Sequence, residues 1–366
     1  MPETDEMLDA TTALIPPLLT ALDALSYAGR HMHPPNIKVV VGAIESYQQP
    51  LEFGLEVFAN VPWPEDLADF AAHAKSSATL ALKAFAGFTT AAQDPDPAMG
   101  AYRAMGLSTK AIEAAYPLSY MLPPVSRYFL EPSHRDNQPL LEALGKSDVQ
   151  MPNVGVMHAD NASQERGGFS VYVPEYYAGE EVPLVVALHG GSGHGRQFLW
   201  SWLRAARTHN CIVISPTSAD RTWSLMNPEQ DSDRLAELVA YACENWQIDE
   251  TKILLAGMSD GGTFSYVSGL TEDSPFTHLA PCAASFHPML LEVVDEKRIQ
   301  ELPVYLTHGG LDWMFSVEVA RTAQNALTIA GARVVYRELA DLSHTYPLEE
   351  SAEILRWLKG EGPVHE

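Results

Sequence analysis

The spacing of apolar residues changes character part-way along the chain. In the first part, apolar residues recur at helical intervals among many alanines. Pairs of adjacent prolines beginning at Pro16, Pro34 and Pro123 are predicted to interrupt the helices. The pattern predicts helices over residues 18–28, 64–86 and 99–116. We therefore expect an all-helical domain over residues 1–146.

Beyond a polar stretch near residues 145–148, β-rich runs alternate with helical segments. This alternation predicts a mostly parallel sheet with helices on both faces, which is an α/β domain over residues 147–366. The predicted strands are 182–188, 211–215, 252–258, 279–286, 304–307 and 334–339, with antiparallel additions at 154–158 and 168–173. The predicted helices are 195–209, 232–246, one from Thr263, 317–330 and 348–358.

The strand that ends at Met258 is followed by the pattern G-x-S-x-G, from Gly257 to Gly261, and then by a helix. A serine at such a sharp strand-to-helix turn presents its hydroxyl beside the helix N-terminus. Glycines on both sides permit the crowded backbone of the turn. The five-residue pattern alone arises often by chance, but its position between a strand and a helix predicts that Ser259 is a nucleophile.

A serine hydroxyl needs a base within hydrogen-bonding distance and an acid that orients the base. Asp312 follows the strand 304–307, and His344 follows the strand that ends near Leu339. The chain order Ser, Asp, His is that of a nucleophile-elbow hydrolase, and parallel strands bring their carboxyl ends to one edge. Asp341 is the rival acid, but its closeness to His344 along the chain favours a local capping or ion-pairing role.

Negative charge that develops on an acyl oxygen needs preorganised N–H donors. The glycine-rich segment 188–195 follows a strong strand and allows backbone N–H groups to point inward. We predict that the oxyanion hole consists of the Gly191 N–H and the N–H of Asp260, the residue after the nucleophile.

Taken together, these motifs resemble the α/β-hydrolase superfamily, in the group of carboxylesterases, phospholipase-type esterases and polyester-depolymerase-like esterases. The resemblance covers residues 150–360 and is carried by His189-Gly190-Gly191, the elbow Gly257–Gly261, Gly310-Leu311-Asp312 and His344. It implies a serine esterase that forms an acyl-enzyme and needs no cofactor. Relatives often continue the acid turn with a valine-proline pair, whereas this chain has Trp313-Met314-Phe315, which indicates a modified pocket.

Five residues near the predicted site are candidates for the substrate pocket. His194 adjoins the oxyanion segment, and Trp223 lies in a loop between a strand and a helix. His287 follows a strand, while Trp313 and Met314 follow the acid. The alternatives are a solvated loop histidine for His194 and core packing for Trp223.

Charge is the outlier in the composition, because 47 acidic residues stand against 23 basic ones and give a net charge of −24. Such a field repels nucleic acid and anionic membranes, so we exclude both as main partners. We see no signal peptide and no apolar run of membrane-spanning length, and we expect a cytoplasmic protein. The three cysteines fall in apolar segments, which favours free thiols. His31 and His33 are too few ligands for a metal site, and none is expected.

The alternatives to an esterase of small-molecule esters are a thioesterase or peptidase with the same machinery, or a binding protein that keeps the hydrolase shape without catalysis. The helical domain has two interpretations. It covers the cleft as a cap, or it forms the surface of a homodimer.

Overall fold

The computed structural model describes residues 4–147 and 153–362. Its internal contacts divide the chain into two units, Met1–Asp136 and Asn137–Glu366. The division lies before the boundary expected after residue 146, because the helix Gln138–Lys146 groups with the second unit.

The described part of the first unit is helical, as the spacing of its apolar residues predicts. Its core is rich in alanine, so helices can pack closely: a Cβ atom on Gly100 would lie 2.9 Å from the Ala91 Cβ. The α-helices are α1 (Thr4–Arg30), α2 (Ile37–Ile44), α3 (Gln48–Ala59), α4 (Ala68–Ala91), α5 (Ala98–Ala115) and α6 (Pro123–Tyr128). Short 3-10 helices join them at Pro34–Asn36, Glu45–Tyr47, Glu65–Leu67, Tyr116–Tyr120 and Pro132–His134.

The predicted helix break at Pro16 is wrong, because Pro16 and Pro17 both lie inside α1. A proline inside a helix removes a backbone hydrogen bond and costs about 3 kcal/mol. The Thr20 hydroxyl donates to both proline carbonyls, at 3.1 and 3.0 Å. A buried apolar stripe from Ala10 to Ala28 continues across the prolines. Packing of this stripe outweighs the local loss.

Helix α1 also meets the length and composition of a membrane span, alone among the helices of residues 4–147 and 153–362. The expectation that no apolar run reaches this length is therefore wrong. The 18-residue window has a mean hydropathy of 1.2, and 44% of it is buried inside the protein. A core helix of a globular domain meets the same criteria, so length and hydropathy do not make α1 a membrane anchor.

The second unit begins with α7 (Gln138–Lys146) and contains an eight-stranded sheet with the order β1-β2-β4-β3-β5-β6-β7-β8. Strands β1 and β2 pair antiparallel with each other, and β2 pairs antiparallel with β4; the other pairs are parallel. The prediction of a mostly parallel α/β sheet is confirmed. The strands are β1 (Gly155–Ala159), β2 (Phe169–Val173), β3 (Val182–Leu188), β4 (Ile212–Pro216), β5 (Ile248–Met258), β6 (His278–Cys282), β7 (Pro303–Gly309) and β8 (Arg333–Leu339).

Helices lie between these strands and after them. They are α8 (Gly195–Phe198), α9 (Trp200–His209), α10 (Pro228–Asn245), α11 (Asp260–Gly269), α12 (Glu296–Ile299), α13 (Val317–Ile329) and α14 (Leu348–Leu358), with a 3-10 helix at Pro288–Val293. The predicted strand 279–286 is too long at its end. Strand β6 stops at Cys282, because Ala283 takes a φ of 47° and turns the chain out of the sheet.

The carboxyl ends of the parallel strands place the functional loops at one edge of the sheet. All seven residues of β3 are buried, as expected for a parallel strand covered on both faces. Strand β5 lies between β3 and β6, so the residue after Met258 emerges near the middle of the edge.

Candidate active site

Ser259 occupies the turn between β5 and α11 with φ 56° and ψ −118°. Its N–H donates to the Cys282 carbonyl at 2.9 Å, which ties the turn to the neighbouring strand. Non-glycine residues rarely adopt this conformation, and the strain persists only where surrounding structure enforces it. A Cβ atom on Gly261 would lie 2.5 Å from both the Leu188 and the His189 carbonyl oxygens, so the close approach requires glycine.

We expect Gly261→Ala to destabilise the second unit, because the added methyl group meets rigid backbone. Overpacking of this kind lowers the free energy of unfolding by about 1–3 kcal/mol. Thermal unfolding measures the loss. Gly145→Ala in α7 is the matched control, since its Cβ meets nothing within 4 Å. An unchanged midpoint for Gly261→Ala would contradict the close approach.

Ser259, His344 and Asp312 are brought together into one chain of hydrogen bonds. The His344 Nε2 atom lies 3.0 Å from the Ser259 Oγ, and its Nδ1 atom lies 2.8 Å from the Asp312 Oδ2. The side chains of His344 and Asp312 are almost completely buried, and Ser259 is 8% exposed. This arrangement can move a proton from the serine hydroxyl to the imidazole.

The Asp312 carboxylate is held on both oxygens. Its Oδ1 accepts the N–H groups of Met314 at 2.9 Å and Phe315 at 2.8 Å. Its Oδ2 faces His344 and also lies 3.5 Å from the His308 Nε2. Burial acts to raise the pKa of Asp312, but the hydrogen bonds and charges of its neighbours outweigh burial and lower the pKa below its usual value. The carboxylate is therefore ionised at neutral pH.

His308 fixes the loop that carries Asp312. Its Nε2 lies 3.0 Å from the Phe315 carbonyl oxygen, so this nitrogen bears the proton and donates. The Phe315 ring packs edge-on against His344, with the ring centroids 5.5 Å apart. His308 and Phe315 thus set the positions of the acid and the imidazole.

Residues 190–193 form a turn beside Ser259. The Gly193 N–H donates to the Gly190 carbonyl at 2.9 Å, and the Ser192 N–H donates to the Arg221 carbonyl at 2.8 Å. Ser192 has a φ of 57°, a conformation that favours glycine. Across residues 4–147 and 153–362, the structure gives the Gly191 N–H no acceptor, so this donor can meet a ligand oxygen.

Asp260 is the first residue of α11, where backbone N–H groups have no partner within the helix. Its carboxylate lies against the turn, since a Cβ atom on Gly191 would come 2.6 Å from the Asp260 Oδ2. The same oxygen accepts the Thr222 hydroxyl at 2.6 Å. The two predicted oxyanion donors, Gly191 and Asp260, therefore belong to neighbouring segments.

His189 and Trp223 donate hydrogen bonds to backbone carbonyls in and next to the 190–193 turn. The buried His189 donates from Nδ1 to the Gly190 carbonyl at 2.7 Å, and its Nε2 accepts the Ser218 N–H at 3.1 Å. Burial is the main reason that the pKa of His189 falls to about 3, so the ring is neutral. Trp223 is 4% exposed, donates to the His189 carbonyl at 2.8 Å and stacks on Phe264. Trp223 thus packs in the hydrophobic core of the second unit, and its contact with substrate stays a prediction.

The other pocket candidates differ in their surroundings. The His194 ring caps α8 by accepting the Arg196 N–H at 3.2 Å, and its Nε2 lies 2.9 Å from the Glu165 carbonyl oxygen. His287 is exposed and caps the 3-10 helix Pro288–Val293. Trp313 and Met314 are 43% and 49% exposed beside Asp312. Their contact with substrate stays a prediction.

Within residues 4–147 and 153–362, no group of three or more histidine, cysteine, aspartate or glutamate side chains is arranged to hold a metal ion. The cysteines Cys211, Cys243 and Cys282 are all free thiols.

Residues 224–360 match the sequence profile of the Phospholipase/Carboxylesterase family. The sheet order and the helices between its strands give the second unit the α/β-hydrolase fold. The matched segment contains Ser259, Asp312 and His344, while the 190–193 turn precedes it. Residues 224–360 thus resemble phospholipases and carboxylesterases in sequence.

Solved structures similar to this chain include several esterases. A thermostable esterase shares 21% identity with a TM-score of 0.44, over 56% of this chain and 62% of its own, which is less than two thirds of its length. SOBER1 from Arabidopsis thaliana shares 18% identity over 49% of this chain and 98% of its own, with a TM-score of 0.42. An acetyl xylan esterase from Aspergillus awamori shares 14% identity over 56% of this chain and 99% of its own, with a TM-score of 0.43. No curated relative matches the chain.

Proposed function

We propose that this protein is a serine esterase that cleaves small carboxylic esters through an acyl-enzyme. The observation that carries the proposal is the hydrogen-bonded chain from Ser259 through His344 to Asp312, at the strand edge where parallel sheets place their sites. The match to the Phospholipase/Carboxylesterase family supports the same chemistry.

In the first half of the proposed reaction, the Ser259 Oγ attacks the ester carbonyl carbon while its proton passes to the His344 Nε2. The carbonyl oxygen becomes negatively charged and accepts hydrogen bonds from the Gly191 and Asp260 N–H groups. The Asp312 carboxylate accepts a hydrogen bond from the Nδ1–H group and stabilises the imidazolium, without taking its proton. When the carbon–oxygen bond to the alcohol breaks, the alcohol takes the proton from His344, and Ser259 remains acylated.

The second half repeats these steps with water as the nucleophile. His344 removes a proton from the water, and the hydroxide attacks the acyl carbon. The oxyanion again lies beside Gly191 and Asp260. The bond to the Ser259 Oγ breaks, the serine regains its proton from His344, and the carboxylic acid leaves.

The loops around the proposed site favour an ester with an apolar part. Large apolar side chains lie exposed in the loops that follow β4, β6 and β7: Leu225, Met226, Met289, Leu311, Trp313 and Met314. Loops that follow the carboxyl ends of the strands commonly contact the ligand in sheets of this kind. The proposed substrate is therefore an ester whose acyl or alcohol group is uncharged.

Labelling with a fluorophosphonate probe tests the proposal, because the probe phosphonylates an activated serine. We expect wild-type protein to be labelled on Ser259, as mapped by peptide mass spectrometry, and Ser259→Ala to remain unlabelled. Ser265→Ala is the matched control, since Ser265 is buried in α11 and hydrogen-bonded within it. Folded wild-type protein that is neither labelled nor active on a panel of esters, thioesters and anilides would overturn the esterase proposal.

A further inference from the structure

Arg166 lies in the loop between β1 and β2, a segment in which the sequence shows no recognised motif. Its guanidinium nevertheless reaches the two loops that follow β3 and β4. Nη1 donates to the Gly193 carbonyl at 2.6 Å, and Nη2 donates to the Ser218 hydroxyl at 2.5 Å and to the Asp220 carbonyl. The Arg166 side chain therefore connects the 190–193 turn to the loop that follows β4.

A second connection runs from Arg166 to the same turn through side chains. The Ser218 hydroxyl and N–H both lie within hydrogen-bonding distance of the His189 Nε2, at 3.3 and 3.1 Å. The other nitrogen of His189 donates to the Gly190 carbonyl. The carbonyls at both ends of the turn are thus held, Gly193 by Arg166 directly and Gly190 through His189.

These hydrogen bonds affect the direction in which the Gly191 N–H points. The turn contains Ser192 in a backbone region that favours glycine, so the turn needs contacts from outside to keep its shape. An oxyanion donor acts only when its N–H is aimed at the position that the oxyanion will occupy. The Gly190 carbonyl and the Gly191 N–H share one peptide plane, so the His189 Nδ1 and the Gly193 N–H, which donate to this carbonyl, also set the direction of the Gly191 N–H. Arg166 holds the other end of the same turn at the Gly193 carbonyl.

The chemistry of the contact favours arginine over lysine. The planar guanidinium presents several fixed N–H groups, and here they serve three acceptors in different directions. Burial lowers the pKa of Arg166 from its usual value, while the Asp220 carboxylate acts in the opposite direction. An arginine stays charged even in such surroundings, so its hydrogen bonds are charge-assisted.

We propose that Arg166 is a positioning residue of the oxyanion hole, which holds the 190–193 turn so that the Gly191 N–H meets the developing oxyanion. The inference rests on the proposed esterase function. Arg166 acts through Gly193, Ser218 and His189 and does not touch the substrate.

Steady-state kinetics of Arg166→Gln test this role. Displacing a reacting or stabilising group by about 1 Å costs about 10²-fold in rate, so we expect kcat to fall by about 10–100-fold with little change in KM. Arg166→Lys should retain part of the activity. Millimolar guanidinium added to Arg166→Ala should restore part of the lost kcat, which a change in overall stability would not do.

Arg298→Gln is the matched control. Like Arg166, Arg298 is partly buried and donates to backbone carbonyls, those of Gly269 and Phe276. It belongs to α12, and its guanidinium reaches the segment between the end of α11 and the start of β6, at the edge of the sheet opposite the proposed site. We expect it to lower the unfolding temperature without lowering kcat. Should Arg166→Gln itself fail to fold, Ser218→Ala removes the hydroxyl that accepts from Arg166, while the backbone N–H at this position still donates to His189, and it should lower kcat in the same direction by a smaller factor.

The outcomes separate this inference from the proposed function. Wild-type protein without esterase activity or Ser259 labelling overturns the proposed function. Active wild-type protein with unchanged kcat in folded Arg166→Gln overturns the positioning role alone. Equal losses of kcat in Arg166→Gln and Arg298→Gln, or no restoration by guanidinium, would make Arg166 a structural residue and also overturn the inference.

Discussion

Ser259→Ala should lower kcat for ester hydrolysis by about 10⁶-fold, because no other group can take the place of its Oγ. His344→Ala should cost a similar factor, since a serine without its base is a poor nucleophile. The double variant should be no slower than either single variant, because residues of one nucleophilic unit act together and their effects do not add. Steady-state kinetics with a chromogenic ester, on protein purified free of host esterases, measures all three.

The design depends on showing that the variants are folded. Circular dichroism and the unfolding midpoint should match those of wild-type protein, and Ser265→Ala on the same helix should keep full activity. If Ser259→Ala retained more than about a tenth of wild-type kcat, the nucleophile would lie elsewhere. Additive losses in the double variant would instead indicate that the two side chains act in separate steps.

Asp312→Asn is expected to lower kcat by about 10⁴-fold through the proton position on His344. The Met314 and Phe315 N–H groups need an acceptor, so the amide oxygen takes the place of Oδ1. The amide nitrogen then faces the His344 Nδ1, which must accept a hydrogen bond. The proton moves to Nε2, where it points at Ser259 and prevents proton removal.

Asp341→Asn provides the matched control for this prediction. Asp341 is exposed and only three residues from His344, and its loss should leave kcat close to wild type. We expect neither change to alter KM greatly. Asp312 acts through His344, and Asp341 has no role in the proposed reaction. A large loss in Asp341→Asn with a small one in Asp312→Asn would show that the orienting acid has been misassigned.

The proximity of Ser259, Asp312 and His344 could be predicted from the sequence, because their positions follow from sheet geometry. Ser259, Asp312 and His344 each come directly after a parallel strand, and such strand ends share an edge. The elbow adds a local sequence pattern. Glycine is required at Gly257 and Gly261, because a Cβ atom at either position would collide with backbone atoms. Strand and helix periodicity therefore sufficed for the α/β fold and for the order of the site residues.

The supports of the site could not be predicted in the same way. Arg166 acts on backbone carbonyls, whose positions leave no mark on the spacing of side chains along the chain. Trp223 was interpreted as a pocket residue from its loop position, although its indole N–H and ring are used by His189 and Phe264. Long-range contacts of this kind depend on tertiary packing and have no local sequence pattern.

The helical unit shows a second limit of sequence reasoning. Helices α2 and α3 were not predicted. The 3-10 helix Glu45–Tyr47 lies between them and interrupts the helical spacing of apolar residues. Pro16 was interpreted as a break, although packing of the α1 stripe tolerates it. Local propensity thus misled wherever tertiary burial was strong enough to override it.

The exposed apolar side chains near the proposed site fall into two groups: Leu311, Trp313 and Met314 share the loop of Asp312, and the others do not. Leu225, Met226 and Met289 belong to loops that contribute none of the proposed reacting groups. Substitutions in these loops can change the surface that contacts a substrate, while the sheet keeps the proposed reacting groups in the same positions. In the proposed esterase, substrate preference can therefore change during evolution while the groups that carry out the reaction stay the same.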